Sequence, residues 1–369
     1  MTGTGNGWER GNSMALAFFQ SASRRRDQVV AVDLGTRCSK AVWMQARSDG
    51  YALLRYAFLD APVADKEPSA NLLAEHLRAL LEALEARTRL VSLALGVQDA
   101  VVRYAELPQM PLPDMRQVLK TSSKIYLQQE LNGYVFDCWP VNGKAEQAPV
   151  EKPRTASLPK QRVLVAGARQ SWVETLYEAV KQAGCQASHM LPGLLAPINA
   201  LERACPELYQ QETVALVNLG FRHSSICILQ QGDLVLSRVL AIGGDHVTQG
   251  LADMMGISYA EAEGIKVGMP GEVREQIQSL LAPLGRELKA SLDFFEHQND
   301  RPVGQVLVSG GSALSECMLQ VLQAELMTEC RAWDPTAGLQ RSLPPQQLAE
   351  LEQLAPHLAV AVGTALATL

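Results

Sequence analysis

The 369-residue sequence carries no surplus of one charge large enough to define a partner. Its 33 lysines and arginines face 39 aspartates and glutamates, for a net charge of −6. That balance removes the electrostatic reason to expect nucleic acid. The only dense basic run, Arg24–Arg25–Arg26, reads as the flank of a loose terminus. There is no CxxC pair among the seven cysteines (Cys38, Cys138, Cys185, Cys205, Cys227, Cys317 and Cys330), and several lie in apolar runs such as "SSICIL". Reduced structural thiols are the reading, as in a reducing cytoplasm. No stretch approaches the ~20 apolar residues of a membrane span. "MALAFFQSASRRR" is too short for the apolar core of a signal peptide, so 1–27 reads as a frayed or self-docked extension. A membrane-touching patch is the other reading of it, and Met14 an alternative start. What remains is an ordinary soluble composition, 47% apolar and 20% charged, in a chain long enough for two lobes.

The pattern along the chain is α/β. Two strands over 28–46 are joined at Gly35–Thr36, and "YALLRYAFLD" reads as a third. Apolar residues at 73, 77, 80, 81 and 84 mark a helix, and "LVSLALG" a buried strand stopped by Gly96. These make a first lobe over 28–104. Pro108, Pro111 and Pro113 break the rhythm and open an inserted subdomain over 105–195, with Asp114 as a candidate helix N-cap and a polar loop at 142–160. A second lobe follows over 196–354, with a helical part at about 248–303. Its meander turns at Gln231–Gly232. A helix over 355–369 closes the chain and completes the first lobe.

The strongest organisational signal is a repeated phrase. "VAVDLGTRCSKAV" at the start of the first lobe matches "VALVNLGFRHSSIC" at the start of the second, with Leu34–Gly35 on Leu219–Gly220, Arg37 on Arg222 and Ser39 on Ser224. Asp33 is replaced by Asn218. A glycine turn lets backbone N–H groups approach an anion, and two such turns on facing lobes would grip a polyphosphate from both sides. Asp33 would then offer a carboxylate to a metal ion or its waters, and Lys40 would neutralise phosphate charge. On its own, one copy is better explained as an ordinary hairpin turn, and the repetition brings the functional reading level with it. Two further double glycines extend the pattern. Gly243–Gly244 precedes a helix with Asp245 as candidate N-cap, and Gly310–Gly311 precedes one beginning at Ser312. Each would bring free N–H groups and a positive helix end to one cleft.

In these motifs the chain resembles the actin-like ATPases, the actin, Hsp70 and sugar-kinase fold. "VVAVDLGTRCSKAV" looks like the first phosphate motif, "VALVNLGFRHSSI" the second, "VLVSGGSALSECM" the adenosine motif and "HLAVAVGTALA" the connecting helix. The PilM-like branch, which serves type IV pilus assembly and is similar to FtsA, is matched by "AIGGDHVTQGLADMMGISYAEAEGIK", "LPQMPLPDMRQVLK" and "VLVAGARQSWVETLYEAVKQAG". The resemblance implies a duplicated two-lobe fold with an FtsA-like insert, and ATP with Mg2+ as cofactors. It implies phosphate contacts at Gly35, Thr36 and Gly220, a metal-side carboxylate at Asp33 acting through water, and a second turn at Gly243 and Gly244. Nucleoside contacts are implied at Gly310, Gly311 and Ser312. Lys40, Asn218, Phe221, Arg222 and Asp245 complete the expected cofactor set. Glu263 and Lys266 match a pair facing the ribose and adenine, although without the family they read as an exposed ion pair.

The resemblance further implies a scaffold at the inner membrane, cytoplasmic and without a membrane span of its own. It would hold the N-terminal tail of a PilN-like membrane protein in a groove near 105–195. Other platform components and self-association belong to the same expectation, and nucleic acid does not. Two departures bear on activity. Arg37 and Cys38 stand where small serine-like residues are usual, and Arg37 and Arg222 either add to phosphate binding or fill its space. Arg222 alternatively caps its turn or pairs with an acid. Asn218 is neutral and cannot act as a base, so binding is expected and fast hydrolysis is not. The rival readings are three. One is a polymerising FtsA-like ATPase, which usually ends in a linker and an amphipathic helix where this sequence ends at "ALATL". Another is a sugar or acetate kinase, which would need a base. The third is a GspL-like member that has lost the nucleotide.

Overall fold

A computed structural model describes residues 27–63, 67–141 and 159–369. Nearly all of the extension expected over 1–27 and of the loop expected over 142–160 lies outside the described residues. The chain opens with an antiparallel meander of β1 (Gln28–Asp33), β2 (Cys38–Arg47) and β3 (Gly50–Asp60). Helix α1 (Ala70–Ala83) starts at Ser69, whose hydroxyl accepts from the Leu72 N–H. Leu73, Leu77 and Leu80 face inward and are at most 2% exposed, and burying each contributes about 1.5–3 kcal/mol. Strand β4 (Leu90–Leu95) is buried at every residue, as a parallel strand covered on both faces must be.

The chain then enters β5 (Ala100–Pro108), α2 (Leu112–Leu127), β6 (Tyr134–Pro140) and β7 (Lys160–Arg169). These strands form a separate antiparallel sheet, β5-β7-β6, with α2 packed on one face. Helix α2 is capped at Pro111 and not at Asp114, which sits inside the first turn, where its charge suits the positive helix end. Helix α3 (Gln170–Gln182) and strand β8 (Gln186–Pro192) follow. Strand pairing divides 105–195 differently from the sequence reading. β5 already belongs to the inserted sheet, whereas β8 runs parallel to β4 and α3 packs with α1.

Helices α4 (Ala196–Ala204) and α5 (Pro206–Gln211) lead to the second meander, β9 (Thr213–Leu219), β10 (Ser224–Gln230) and β11 (Asp233–Leu240). Gln231 and Gly232 turn at φ +52° and +84°, the mirror-image turn that fits the strands' twist. Helices α6 (Gly244–Met255), α7 (Tyr259–Gly268) and α8 (Arg274–Asn299) precede β12 (Gln305–Ser309). The chain ends through α9 (Glu316–Leu326), β13 (Cys330–Ala332), β14 (Gln340–Arg341), α10 (Pro345–Leu354) and α11 (Ala359–Leu366). One-turn helices at Gly311–Leu314 and Ala355–Leu358 precede α9 and α11.

The duplication is visible in the topology. The large sheets run β14-β3-β2-β1-β4-β8 and β11-β10-β9-β12-β13, and apart from the edge strand β14 they have the same order and senses. Register agrees as well, with Asp33 opposite Lys40 and Asn218 opposite Ser225.

The lobes are joined where α4, leaving the first sheet, packs on α11, which returns to it. A Cβ on Gly363 would overlap the Ala196 carbonyl group and lie 3.2 Å from its Cα. Only glycine permits this approach. Gly363→Ala is therefore expected to destabilise the protein by about 1–3 kcal/mol or more. The readout is the midpoint of chemical denaturation, and an unchanged midpoint would show that the helices part freely.

Candidate functional site

The first turn is built by β1 and β2. The Gly35 N–H donates to the Asp33 carbonyl at 3.1 Å. A Cβ at Gly35 would overlap the Cys38 carbonyl oxygen and lie 2.8 Å from Lys40 Nζ, so glycine is needed to close the turn itself. The register that sets Lys40 opposite Asp33 also brings their side chains together, with Nζ 3.3 Å from Oδ2. Both are largely shielded, while Thr36 and Arg37 stand exposed at the tip.

The second turn repeats this closure, since a Cβ at Gly220 would overlap the His223 carbonyl oxygen. Asn218 differs from its counterpart in its partner as well as its charge. Its Oδ1 accepts from the Ser309 hydroxyl at 3.4 Å, which ties β9 to the parallel strand β12. Two loops then pack on the turn's backbone where a side chain would not fit. A Cβ on Gly243 would strike the carbonyls of Phe221 and Gly220. One on Gly310, at φ +94°, would strike Leu219 and lie 2.7 Å from Asn218 Oδ1.

This packing corrects three expectations. The N–H groups of Gly244 and Asp245 are not free, because they donate to the carbonyls of Gly220 (3.0 Å) and Phe221 (2.8 Å). Gly243 is the N-cap of α6, and the Asp245 carboxylate instead accepts from the Tyr259 hydroxyl at 2.7 Å. Ser312 lies in the one-turn helix Gly311–Leu314, and α9 is capped by Ser315, whose hydroxyl accepts from the Met318 N–H.

Helix α7 carries the fourth wall. Its start is set by a capping box, in which Ser258 and Glu261 exchange side-chain and backbone hydrogen bonds. Three residues apart, Glu263 and Lys266 fall on one face. They are not an exposed pair, because Lys266 is only 8% exposed. Its ammonium lies 2.6 Å from Glu263 Oε2 and donates to Thr248 Oγ1 (2.6 Å) and to the Gly244 carbonyl (3.3 Å). The Thr248 hydroxyl donates in turn to Glu263. Burial acts to raise the Glu263 pKa. The hydrogen bonds from Lys266 and Thr248, with the charges of Lys266 and Arg37, outweigh it and hold the carboxyl below its ordinary range.

These walls enclose a cleft of about 740 Å³ between the lobes, lined by every expected site residue except Gly243 and Asp245. The sequence reading missed Phe58, Gln98, Val267, Met318 and His357, which also line it. Phe58, Gln98 and Val267 belong to no sequence motif, whereas Met318 ends the adenosine motif and His357 begins the connecting-helix motif without having been singled out, and the packing brings all five to the cleft. One end of the cleft presents Lys40, Arg37 and Arg222 to an anion; among the described residues Arg222 makes neither an ion pair nor a hydrogen bond. The other end has an apolar wall that includes Val267, 70% exposed, and Leu314, 45% exposed.

The family model for "Type IV pilus assembly protein PilM" matches residues 31–369. The chain belongs to the PilM family. The cell division protein FtsA of Bacillus subtilis (strain 168) is 22% identical over 256 residues, 64% of this chain and 57% of that protein. The match thus spans little more than half of that relative's length. Among solved structures, the PilM–PilN type IV pilus biogenesis complex is 23% identical with a TM-score of 0.79, covering 93% of this chain and 98% of that one. MreB 5 of Spiroplasma citri bound to AMPPNP is 10% identical at a TM-score of 0.51, with coverages of 92% and 95%. The fold is the actin-like one, α/β and two-lobed. Among the described residues no helix of this PilM-family chain is long and apolar enough to cross a membrane.

The residues fit an adenine nucleotide in kind: cations and backbone at one end, an apolar wall at the other, and no clash for a Cβ at Gly311, 3.9 Å from His357 Cε1. Magnesium fits only as a companion of phosphates. The described residues hold no cluster of three metal-ligating side chains, and the Asp33 carboxylate is already paired with Lys40. His357 closes the rear of the cleft, edge-on to Phe58 at 5.6 Å, with Nε2 buried and without a hydrogen-bond partner among the described residues. Burial, aided by the charge of Lys40, lowers its pKa to about 4, against a Gly311 backbone hydrogen bond that acts to raise it. Its folded pKa lies below the unfolded value of 6.5, so the unfolded chain takes up the proton first. His357 therefore adds stability above about pH 6.5 that is lost as pH falls towards 4, about 2–3 kcal/mol across that window. His357→Asn should flatten that part of the stability–pH curve, measured by denaturation at pH 7, 5.5 and 4.5.

Proposed function

We propose that this PilM-family chain is an ATP-binding scaffold of the type IV pilus inner-membrane platform, holding the cytoplasmic N-terminal tail of a PilN-like membrane protein. The observation that carries the nucleotide reading is the meeting of two topologically equivalent turns, with Asp33 and Lys40 on one side and Asn218 on the other, across one cleft. In this reading Lys40, Arg37 and Arg222 neutralise phosphate charge, and Gly311 leaves room for the nucleoside beside Glu263 and Lys266. Bound magnesium would screen the phosphates. Asp33 would orient its water, and no second carboxylate would share that task. A PilN-like partner is supported by the PilM–PilN complex, whose fold this chain shares, and the binding of its N-terminal tail and the station at the inner membrane are part of the proposal.

Nucleotide would act by biasing the angle between lobes, a population shift and not a chemical step. Turnover would be weak because Asn218 has no basic atom and its oxygen is already engaged with Ser309.

Titration calorimetry and thermal shift with Mg-ATP test the reading. Stabilisation by ATP is expected, and Lys40→Ala should weaken binding by about tenfold or more, as loss of one charge-assisted hydrogen bond does. Absence of heat and of thermal stabilisation at millimolar ATP would favour the degenerate member without nucleotide. Asn218→Asp should raise phosphate release by about tenfold or more, the lower range of general-base effects. No rise would show that the second acid was never the missing part. A synthetic PilN-type tail should bind the purified chain; ATP-driven filaments with no peptide binding would point to the FtsA-like alternative instead.

A further inference from the structure

Arg37 reaches across the mouth of the cleft. From the tip of the first turn its Nη1 lies 3.4 Å from Glu263 Oε1 on α7, and its guanidinium carbon lies 5.3 Å from the centre of the Phe221 ring on the second turn. Both contacts run from one lobe to the other. Glu263 is free to make its share, because Lys266 and Thr248 engage Oε2 and leave Oε1 to Arg37. The planar guanidinium suits the double task, since it can pair with a carboxylate and lie over an aromatic ring at once. Among the described residues its repeat counterpart Arg222 makes no such contact. The tie therefore belongs to one copy of the duplicated turn and is not a consequence of the repeat.

We infer that Arg37 ties the two lobes together across the cleft when no ligand is bound, and that a polyphosphate between the turns must draw it away from Glu263. The second half rests on the nucleotide reading; the first half does not. The Arg37 side chain is 46% exposed and that of Glu263 19%. A half-exposed ion pair with a ring contact shifts a closed-to-open ratio by about two- to tenfold. That is enough to bias the lobes and little enough for a bound anion to reverse. Closure without ligand then lowers the apparent affinity for nucleotide by the fraction of molecules held shut.

The decisive measurement uses the full chain without nucleotide. Arg37→Ala should raise amide hydrogen exchange about two- to tenfold in residues 34–37, in residues 220–223 across the cleft and in α7, with a larger radius of gyration by small-angle scattering. Raising the salt to about 0.5 M should loosen the wild type in the same places and leave the variant unmoved, because the pair is open to screening. Arg37→Ala and Glu263→Gln combined should change less than the sum of the two alone. Arg37→Lys should fall between wild type and alanine, since it keeps the charge without the planar fork. A rise confined to 34–37 would mean that Arg37 only braces its own turn, and simple additivity of the two substitutions would equally overturn the tie. Adding Mg-ATP supplies a separate arm, in which the coupling between positions 37 and 263 should vanish. If ATP fails to bind the wild type, the nucleotide reading falls while the ligand-free results still decide the tie.

Discussion

The two-lobe arrangement depends on a helix crossing at which backbone meets backbone. Helix α4 carries the chain out of the first sheet, α11 brings it back, and they meet where Gly363 lies against the Ala196 backbone. Ala94, Ala196 and Val360 form a small buried cluster beside that contact, and the Asn199 amide donates to the Gly363 carbonyl. Such backbone contact lets two sheets share one joint while leaving a cleft between their strand ends. Everything proposed for the cleft, from nucleotide grip to lobe angle, presupposes this hinge-like junction.

The glycine turns have two physical explanations, and the structure separates them. At Gly35 and Gly220 the missing Cβ makes room for the turn's own carbonyl, so those glycines are required by the hairpins whatever the cleft holds. At Gly243 and Gly310 it makes room for neighbouring loops that pack on the second turn. At Gly311 a Cβ would make only an ordinary contact, 3.9 Å from His357 Cε1, so that glycine is not required by the packing around it. The second lobe's half of the site is thus more tightly assembled than the first lobe's, with Asn218 and the N-terminus of α6 absorbed into the assembly. The first lobe keeps its ionisable pair, Asp33 and Lys40, facing the cleft. An ancestral symmetry of sequence has become a division of labour, one half structural and one half charged.

Arg37 and the Glu263–Lys266–Thr248 group link these halves electrostatically. Removing charges from water is unfavourable unless each is met by a partner. The buried ammonium of Lys266 has three partners, and the carboxylate it faces has one oxygen left over. That remaining oxygen gives the first lobe something to hold across the gap. The chemistry of one wall thereby becomes a constraint on the relative position of both lobes.

Much of this was legible in the residues. Periodicity and turn chemistry located β1 to β4 and β9 to β12, the Gln231–Gly232 hairpin and the duplication, because each is a local property of the chain. Strand β5 and the two-residue strand β14 were hidden. Prolines obscure the end of the first, and only its neighbours make the second a strand. Nor could sequence assign β8 to the first sheet, since pairing is a long-range choice settled by where its buried face fits. In the site, the glycine motifs and Glu263–Lys266 were found by pattern, but their burial and partners were not. Phe58 carried no signal, and His357 opened the connecting-helix motif without anything to mark it as a cleft residue. The sequence by itself determined the two homologous turns, their charges and the loss of one acid, because these follow from residue identity and register. The tertiary structure alone decided which N–H groups are already used, which ion pair is buried and that Arg37 spans the cleft, because each depends on backbones brought together from distant parts of the chain.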